Sequence, residues 1–328
     1  MKFNRQFFFN LTLAFLVTSS SLQAIDEEIL TKYRVNGAQN IVQYLDKKLT
    51  EKQYWKEYLK HQDTTFGYLE NTPHLLVCTK GESQLSLYTK KDGNYTLEKN
   101  FNAFTGKIEG DKQESGDLKT PVGVYNLTKK LENVDSFYGP MAFVTSYPNL
   151  YDKYKKKTGH GIWIHGLPFH QERDKFTKGC IAINNTNLES LSQEITVNDT
   201  LLIINEQKLH HVDKTTLANI LSQLYEWRYS WIYNNLQAYL DFYDINFMRF
   251  DGMNKIKFAN YKKRIFAKKE TKTILFKNIN IIPYPNEDST FKVTFQEDYK
   301  TKSFSFQGEK TLILMLDNNG KIKILTER

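Results

Sequence analysis

Cysteine is scarce: Cys78 and Cys180 are the only two in 328 residues. So few exclude a disulfide-stapled scaffold, and stability must come from a packed core. The 40% apolar and 14% aromatic residues can supply one. Internal repeats and low-complexity tracts are missing, which argues against a solenoid or a disordered chain. The net charge is +8, yet no block of five or six basic residues occurs. That excess suits an anionic partner without specifying nucleic acid, and no nucleic-acid partner is expected. Lys155-Lys156-Lys157 and Lys262-Lys263-Arg264 read as solvated faces. His160, His165 and His170 recur every five residues without Cys, Asp or Glu at ligand spacing, so no metal and no cofactor is expected.

Only the N-terminus carries a long apolar run. Lys2 and Arg5 precede Phe7-Phe8-Phe9 and Leu11 to Val17, and the small and polar stretch Ser19 to Ala24 follows. This is the pattern of a secretory signal peptide cleaved after Ala24. An uncleaved anchor is the alternative. The run is short for a bilayer span, which needs about 20 residues. No later segment is apolar enough to cross, so an exported, periplasmic chain with no integral span after cleavage is expected.

The periodicity predicts an α+β protein. Residues 25–66 form a helical N-terminal segment, with Ile25, Ile29, Tyr33, Ile41, Tyr44, Leu45 and Tyr54 at broadly helical intervals. Residues 67–207 read as short strands separated by Gly, Pro, Asn and Asp, a mostly-β domain. Residues 212–328 begin with a helical face of Leu217, Ile220, Leu221, Leu224, Trp227 and Trp231. A second short helix follows Asn234-Asn235. Strands then run from Thr273, with a hairpin at Asn318-Asn319-Gly320. Helices followed by strands suggest a separate α+β domain.

The chemistry is concentrated in Gly159-His160-Gly161-Ile162-Trp163-Ile164-His165-Gly166 and Thr177-Lys178-Gly179-Cys180-Ile181-Ala182-Ile183-Asn184-Asn185. One piece is a strand ending in His-Gly; the other is a Gly-Cys turn opening a second strand. If the strands are neighbours, His165 can deprotonate Cys180, giving a nucleophile for acyl transfer through a thioester. Gly179 allows a tight turn whose amides could face an oxyanion. Cys78 lies in the apolar run Leu75-Leu76-Val77-Cys78 and reads as a small buried hydrophobe, although a pairing with Cys180 is open. Trp163 shares the strand face of His165. Lys107, Lys112, Lys119 and Lys178 are candidates for binding carboxylates, and Lys178 is two positions from the thiol.

These segments resemble the L,D-transpeptidase catalytic domain (YkuD) family. Its signature is a His-Gly and, after a variable loop, Ser/Thr-His-Gly-Cys-Ile-Arg and an Asn. Phe104-Thr105-Gly106-Lys107 and Lys119-Thr120-Pro121-Val122-Gly123 resemble its earlier segments, in the right order. Lys178 stands where the family has His, and Ala182 where it has Arg. Gly110-Asp111-Lys112, Gly116 to Lys119, Phe137-Tyr138-Gly139-Pro140 and Ser146-Tyr147-Pro148-Asn149 narrow the resemblance to peptidoglycan L,D-carboxypeptidases that set the shape of helical Gram-negative bacteria. The resemblance implies removal of the terminal D-Ala from tetrapeptide stems. It also implies a dimerising N-terminal helix and a C-terminal domain like nuclear transport factor 2. It makes Cys180 the nucleophile and His165 the proton acceptor, with the His oriented by a backbone carbonyl. Gly179 and Gly166 are the backbone positions of the site. Lys178, Lys107, Trp163 and His170 are candidate contacts to peptidoglycan stem peptides. An L,D-transpeptidase that crosslinks, and a non-catalytic wall-binding scaffold, are the alternatives.

Overall fold

The structure is a computed structural model describing residues 6–169, 172, 174–207, 209 and 211–328, with side chains from residue 27 onward. The expected leader falls on residues 1–5, outside the described residues, and on positions where only the backbone is described. No helix among the described residues is long and apolar enough to cross a membrane.

Helix α1 (Gln6–Lys48) is interrupted at Gly37, whose φ of 76° is left-handed backbone that glycine adopts without a Cβ clash. After a turn at Thr50-Glu51 comes α2 (Lys52–Leu59), which buries Trp55 and Leu59. The chain then makes β1 (Tyr68–Leu69), β2 (His74–Thr79), β3 (Gln84–Lys91), β4 (Asn94–Phe104), β5 (Gly123–Leu131) and β6 (Ala142–Thr145). Helix α3 (Leu150–Tyr154), β7 (Trp163–His165), β8 (Ile181–Ile183), α4 (Asn185–Glu194) and β9 (Thr200–Asn205) complete the first half. The second half holds α5 (Lys214–Ile232), α6 (Leu236–Leu240), α7 (Lys255–Phe266), β10 (Thr273–Pro283), β11 (Thr290–Lys300), β12 (Ser305–Leu316) and β13 (Ile322–Glu327).

Eight strands close a barrel in the order β2-β3-β4-β8-β7-β6-β5-β9. The β7–β8 and β2–β9 pairs are parallel. Strand alternation sorts the apolar runs into two cores. Leu76, Cys78, Leu202 and Ile204 point into the barrel. Leu75, Val77, Leu201 and Ile203 point outward and pack with Ile282, Tyr284, Ile313 and Leu325 of the second half. This explains why β2 and β9 read as unbroken apolar runs: both faces are covered.

The second half is an antiparallel sheet, β1-β10-β11-β12-β13, wrapped around α5, α6 and α7. Trp227, Tyr239, Tyr243, Phe258 and Phe295 fill the space between them. Two features depart from expectation. Strand β1 lies in the stretch expected to open the catalytic domain, yet Tyr68 pairs with Ile281 and Leu69 with Asn280. Trp55, Leu59 and Tyr68 also belong to the C-terminal core, so the N-terminal segment is built into that half. A buried Asp46–Arg228 ion pair of 2.9 Å ties α1 to α5.

The basic clusters are not simply solvated. Lys157 is buried and pairs with Asp152 at 2.8 Å and Asp111 at 2.6 Å. Lys262 is buried with its ammonium 4.4 Å from the Trp231 ring. Its neighbours Phe258 and Phe266 occupy the same helical face, which is why a lysine at that spacing is drawn inward.

Candidate active site

Barrel closure brings the His-Gly and Gly-Cys pieces side by side. In the parallel β7–β8 pair, Ile164 lies opposite Ile181 and His165 opposite Ala182. Both His165 and Cys180 line one cleft of about 560 Å³, with Phe137, Tyr138, Phe176 and Lys178 among its walls. The Trp163 N–H points at Cys180 Sγ, 3.5 Å away, and the sulfur lies 3.6 Å from Gly161 O.

His165 is held with little freedom. Its ring is buried, and the edge of Tyr138 meets it at 5.0 Å between centroids and 85° between planes. Its Nδ1 lies 2.7 Å from Gly166 O. A carbonyl only accepts, so Nδ1 carries the proton and Nε2 is the unprotonated nitrogen of the neutral ring. Gly166 is itself fixed, because its N–H donates to Tyr138 O at 2.8 Å. Asn185 locks the next residue, accepting from Leu167 N–H at 2.7 Å and donating to Leu167 O at 3.0 Å.

The turn at Cys180 is braced from beneath. Thr177 Oγ1 donates to Cys180 O at 2.7 Å and accepts from Gly179 N–H at 3.0 Å. Thr120 Oγ1 accepts from Gly106 N–H at 2.8 Å, and Thr177 N–H donates to Thr105 O at 2.7 Å. A side chain at Gly106 would strike the Thr120 backbone, its Cβ falling 2.7 Å from Thr120 N. The Thr-Gly-Lys and Thr-Pro-x-Gly segments are therefore the floor of the Cys180 turn.

The amides of both site glycines already have partners. The Gly179 amide is taken by Thr177 and the Gly166 amide by Tyr138, so neither N–H is directed at an oxyanion in this arrangement. Gly166 acts through its carbonyl. Gly179 keeps its place because its φ is 134°, backbone that other residues rarely adopt.

Lys178 is exposed and lines the cleft. Lys107 lies beside it, its ammonium 5.0 Å from the Phe176 ring. Trp163 packs its ring on Tyr138 at 5.3 Å and reaches the thiol through its backbone. His170 lies outside the described residues. Lys112 is not a surface carboxylate binder: it is buried, paired with Asp117 at 2.6 Å, and its side chain underlies Gly159 and Gly179. Burial pushes the Asp117 carboxyl up, but Lys112 and the amides of Gln113, Lys119 and Glu114 outweigh it and hold it at about 2.

No disulfide joins Cys78 and Cys180. Cys78 sits inside the barrel, and burial pushes its thiol up to about 12. Thr177, Asn185 and Tyr138 stand in the recognised motifs, yet nothing in their spacing announces their bracing roles. A second cavity of about 520 Å³ opens in the C-terminal half, lined by Arg249, Lys262, Lys310, Glu297 and Glu327 among others.

A closed barrel with a Cys-His cleft between parallel strands, joined to a cone of helices and curved sheet, defines a class. Residues 73–204 match the L,D-transpeptidase catalytic domain, and residues 219–328 match the Cds6 C-terminal NTF2-like domain. The chain belongs to the L,D-transpeptidase catalytic-domain family, in the form that carries this second domain. Among solved structures it is similar to the helical cell shape determining protein Pgp2 of Campylobacter jejuni. A mutant of that protein is 38% identical with a TM-score of 0.80, covering 86% of this chain and 99% of that one. It is also similar to Bd1075 of Bdellovibrio bacteriovorus, at 25% identity and a TM-score of 0.65, covering 78% of this chain and 92% of that one. The putative L,D-transpeptidase YafK of Escherichia coli K12 is 30% identical over 130 residues, 39% of this chain. The match spans about half of that curated relative, 49% of its length.

Proposed function

We propose that this chain is a periplasmic, cysteine-dependent L,D-carboxypeptidase that removes the terminal D-Ala of peptidoglycan tetrapeptide stems and so influences cell shape. The observation that carries the proposal is the clamp of His165 Nδ1 on Gly166 O, in the same cleft as the Cys180 thiol. That clamp presents Nε2 as the base. Nε2 takes the thiol proton as sulfur attacks the carbonyl before D-Ala. The C–N bond then breaks, the amine leaves with that proton, and a thioester remains. Water, deprotonated by His165, attacks the thioester, releasing the tripeptide carboxylate and restoring the thiol. Lys178 on the cleft wall, and Lys107 beyond it against the Phe176 ring, supply positive charge for stem carboxylates next to the acidic Glu172 and Asp174 of the same lining.

An amine acceptor in place of water would give the crosslinking reaction through the same thioester. Ala182 favours hydrolysis in this reading: it is fully buried opposite His165, and no arginine is present there to handle an acceptor. Incubation with purified muropeptides, followed by mass analysis, is the test. Tripeptides with free D-Ala support hydrolysis. Dimers crosslinked between two third residues would replace it with transpeptidation. Tetrapeptide trimming that persists in a folded Cys180→Ala variant would remove Cys180 as the nucleophile.

A further inference from the structure

The seam between the barrel and the C-terminal sheet is apolar at Ile282, Ile313, Leu201 and Ile203, and one residue breaks the pattern. Lys292 of β11 lies opposite Ile282 and Ile313 and is only 6% exposed. Its ammonium donates to Val124 O at 3.2 Å, a carbonyl that already accepts from Asn149 Nδ2 at 3.0 Å. It forms no ion pair among the described residues, whereas the buried Lys80, Lys112 and Lys157 each have a carboxylate. An ammonium has three donors, and burying one without a counter-charge is strongly unfavourable. Burial holds Lys292 down at about 8, against the pull of Glu309 and Asp152.

Lys292 is also among the lining residues of a cleft of about 590 Å³ between the two halves, which shares no lining residue with the cleft at Cys180. Lys153 and Arg328 bring two more cationic side chains to its lining, where Glu309 is the one acidic side chain. Asn126 and Phe250 add an amide and an exposed aromatic ring. A single water occupies about 30 Å³ of liquid, so the space far exceeds what an inorganic ion needs. Cations, an amide and a ring together suit a peptide: carboxylates for the cations, backbone groups for the amide, a side chain for Phe250.

We propose that this interdomain cleft binds a carboxylate-bearing peptide, with Lys292 as its buried counter-charge and Lys153 and Arg328 as its outer cations. The site is separate from the proposed catalytic cleft and does not depend on the reaction assigned to it. Occupancy would draw on both halves at once and so couple their relative placement to ligand.

The test uses the full chain with N-acetyl-alanyl-glutamate and its diamide as probes, followed by NMR of the Ile313 methyls, which line the cleft. The diacid should shift them saturably, and the diamide should bind roughly tenfold or more weakly. Lys292→Met should weaken the diacid by the same order. Lys153→Ala, at an exposed position that cannot unfold the protein, should weaken it by a few-fold. Equal binding of diacid and diamide would overturn the proposal. So would an unmoved Ile313 while methyls of Ile162 or Ile181 near Cys180 respond, or unchanged affinity in Lys153→Ala and Lys292→Met.

Discussion

A methyl group added at position 166 has no room. The Cβ of Gly166→Ala would overlap Asn185 Oδ1 and fall 3.0 Å from Pro140 Cδ and 3.2 Å from Gly139 Cα. Asn185 must then swing away and lose both hydrogen bonds to Leu167. Two bonds at about 1 kcal/mol each, plus the strain of overpacking, put Gly166→Ala at about 2–4 kcal/mol of destabilisation. Asn185→Ala alone loses the same bonds and costs about 2 kcal/mol. In the double variant the overlap with Asn185 is gone and only the milder crowding at Pro140 and Gly139 remains, so its cost should stay at about 2–3 kcal/mol instead of the sum of about 4–6. Urea denaturation of the four proteins measures this coupling of about 2 kcal/mol. Because Gly166 O holds His165 Nδ1, muropeptide turnover by Gly166→Ala should also fall by about 100-fold. Additivity within about 0.5 kcal/mol would refute the assigned contact, and full turnover with lost stability would refute the orienting role.

Four further outcomes are expected. Asp117→Asn leaves the buried Lys112 without its partner and should cost about 3–5 kcal/mol in denaturant unfolding, whereas Lys112→Met with Asp117→Asn should recover part of it. The Asp117 carboxyl is held at about 2 when folded, so its contribution is present above the unfolded value and lost as pH falls from near 4 toward 2; acid unfolding of Asp117→Asn should lack that component. Lys292 has its folded value lowered to about 8 from 10.5, so the unfolded chain binds more protons between those values and stability rises with pH there; Lys292→Met should flatten that rise in melting curves. The Cys78 thiol is buried and pushed up to about 12, so a thiol reagent at pH 8 should label one cysteine in the native protein and two in urea, read by mass.

The elements that come through in one dimension are those whose periodicity belongs to a single neighbour. Leu217 to Trp231 mark α5 because one face meets one core. Helices α4 and α7 are harder to see. The first carries only Leu188 and Leu191 as buried anchors, and the second spends a core position on Lys262. The hairpin at Asn318-Asn319-Gly320 is legible because turn chemistry is local. The candidate site is legible as types and order: His165, Gly166, Gly179 and Cys180 stand in a recognisable sequence. The roles of Thr177, Asn185 and Tyr138 are not, since a hydroxyl, an amide and a ring have no preferred partner until the chain closes.

Composition and local pattern alone determine an α+β chain too poor in cysteine for a disulfide scaffold, with a strand ending in His-Gly and a second strand opening from Gly-Cys. Closure of the barrel decides the rest. It places parallel β7 and β8 side by side, turns the Gly166 carbonyl onto His165, and engages the Gly179 amide with the Thr177 hydroxyl. It also buries Lys112, Lys157 and Lys292, because what surrounds a lysine depends on strands distant in sequence. Scarce cysteine follows the same division. The sequence shows that two thiols exist, and only the three-dimensional packing seals Cys78 inside the barrel while leaving Cys180 at the cleft.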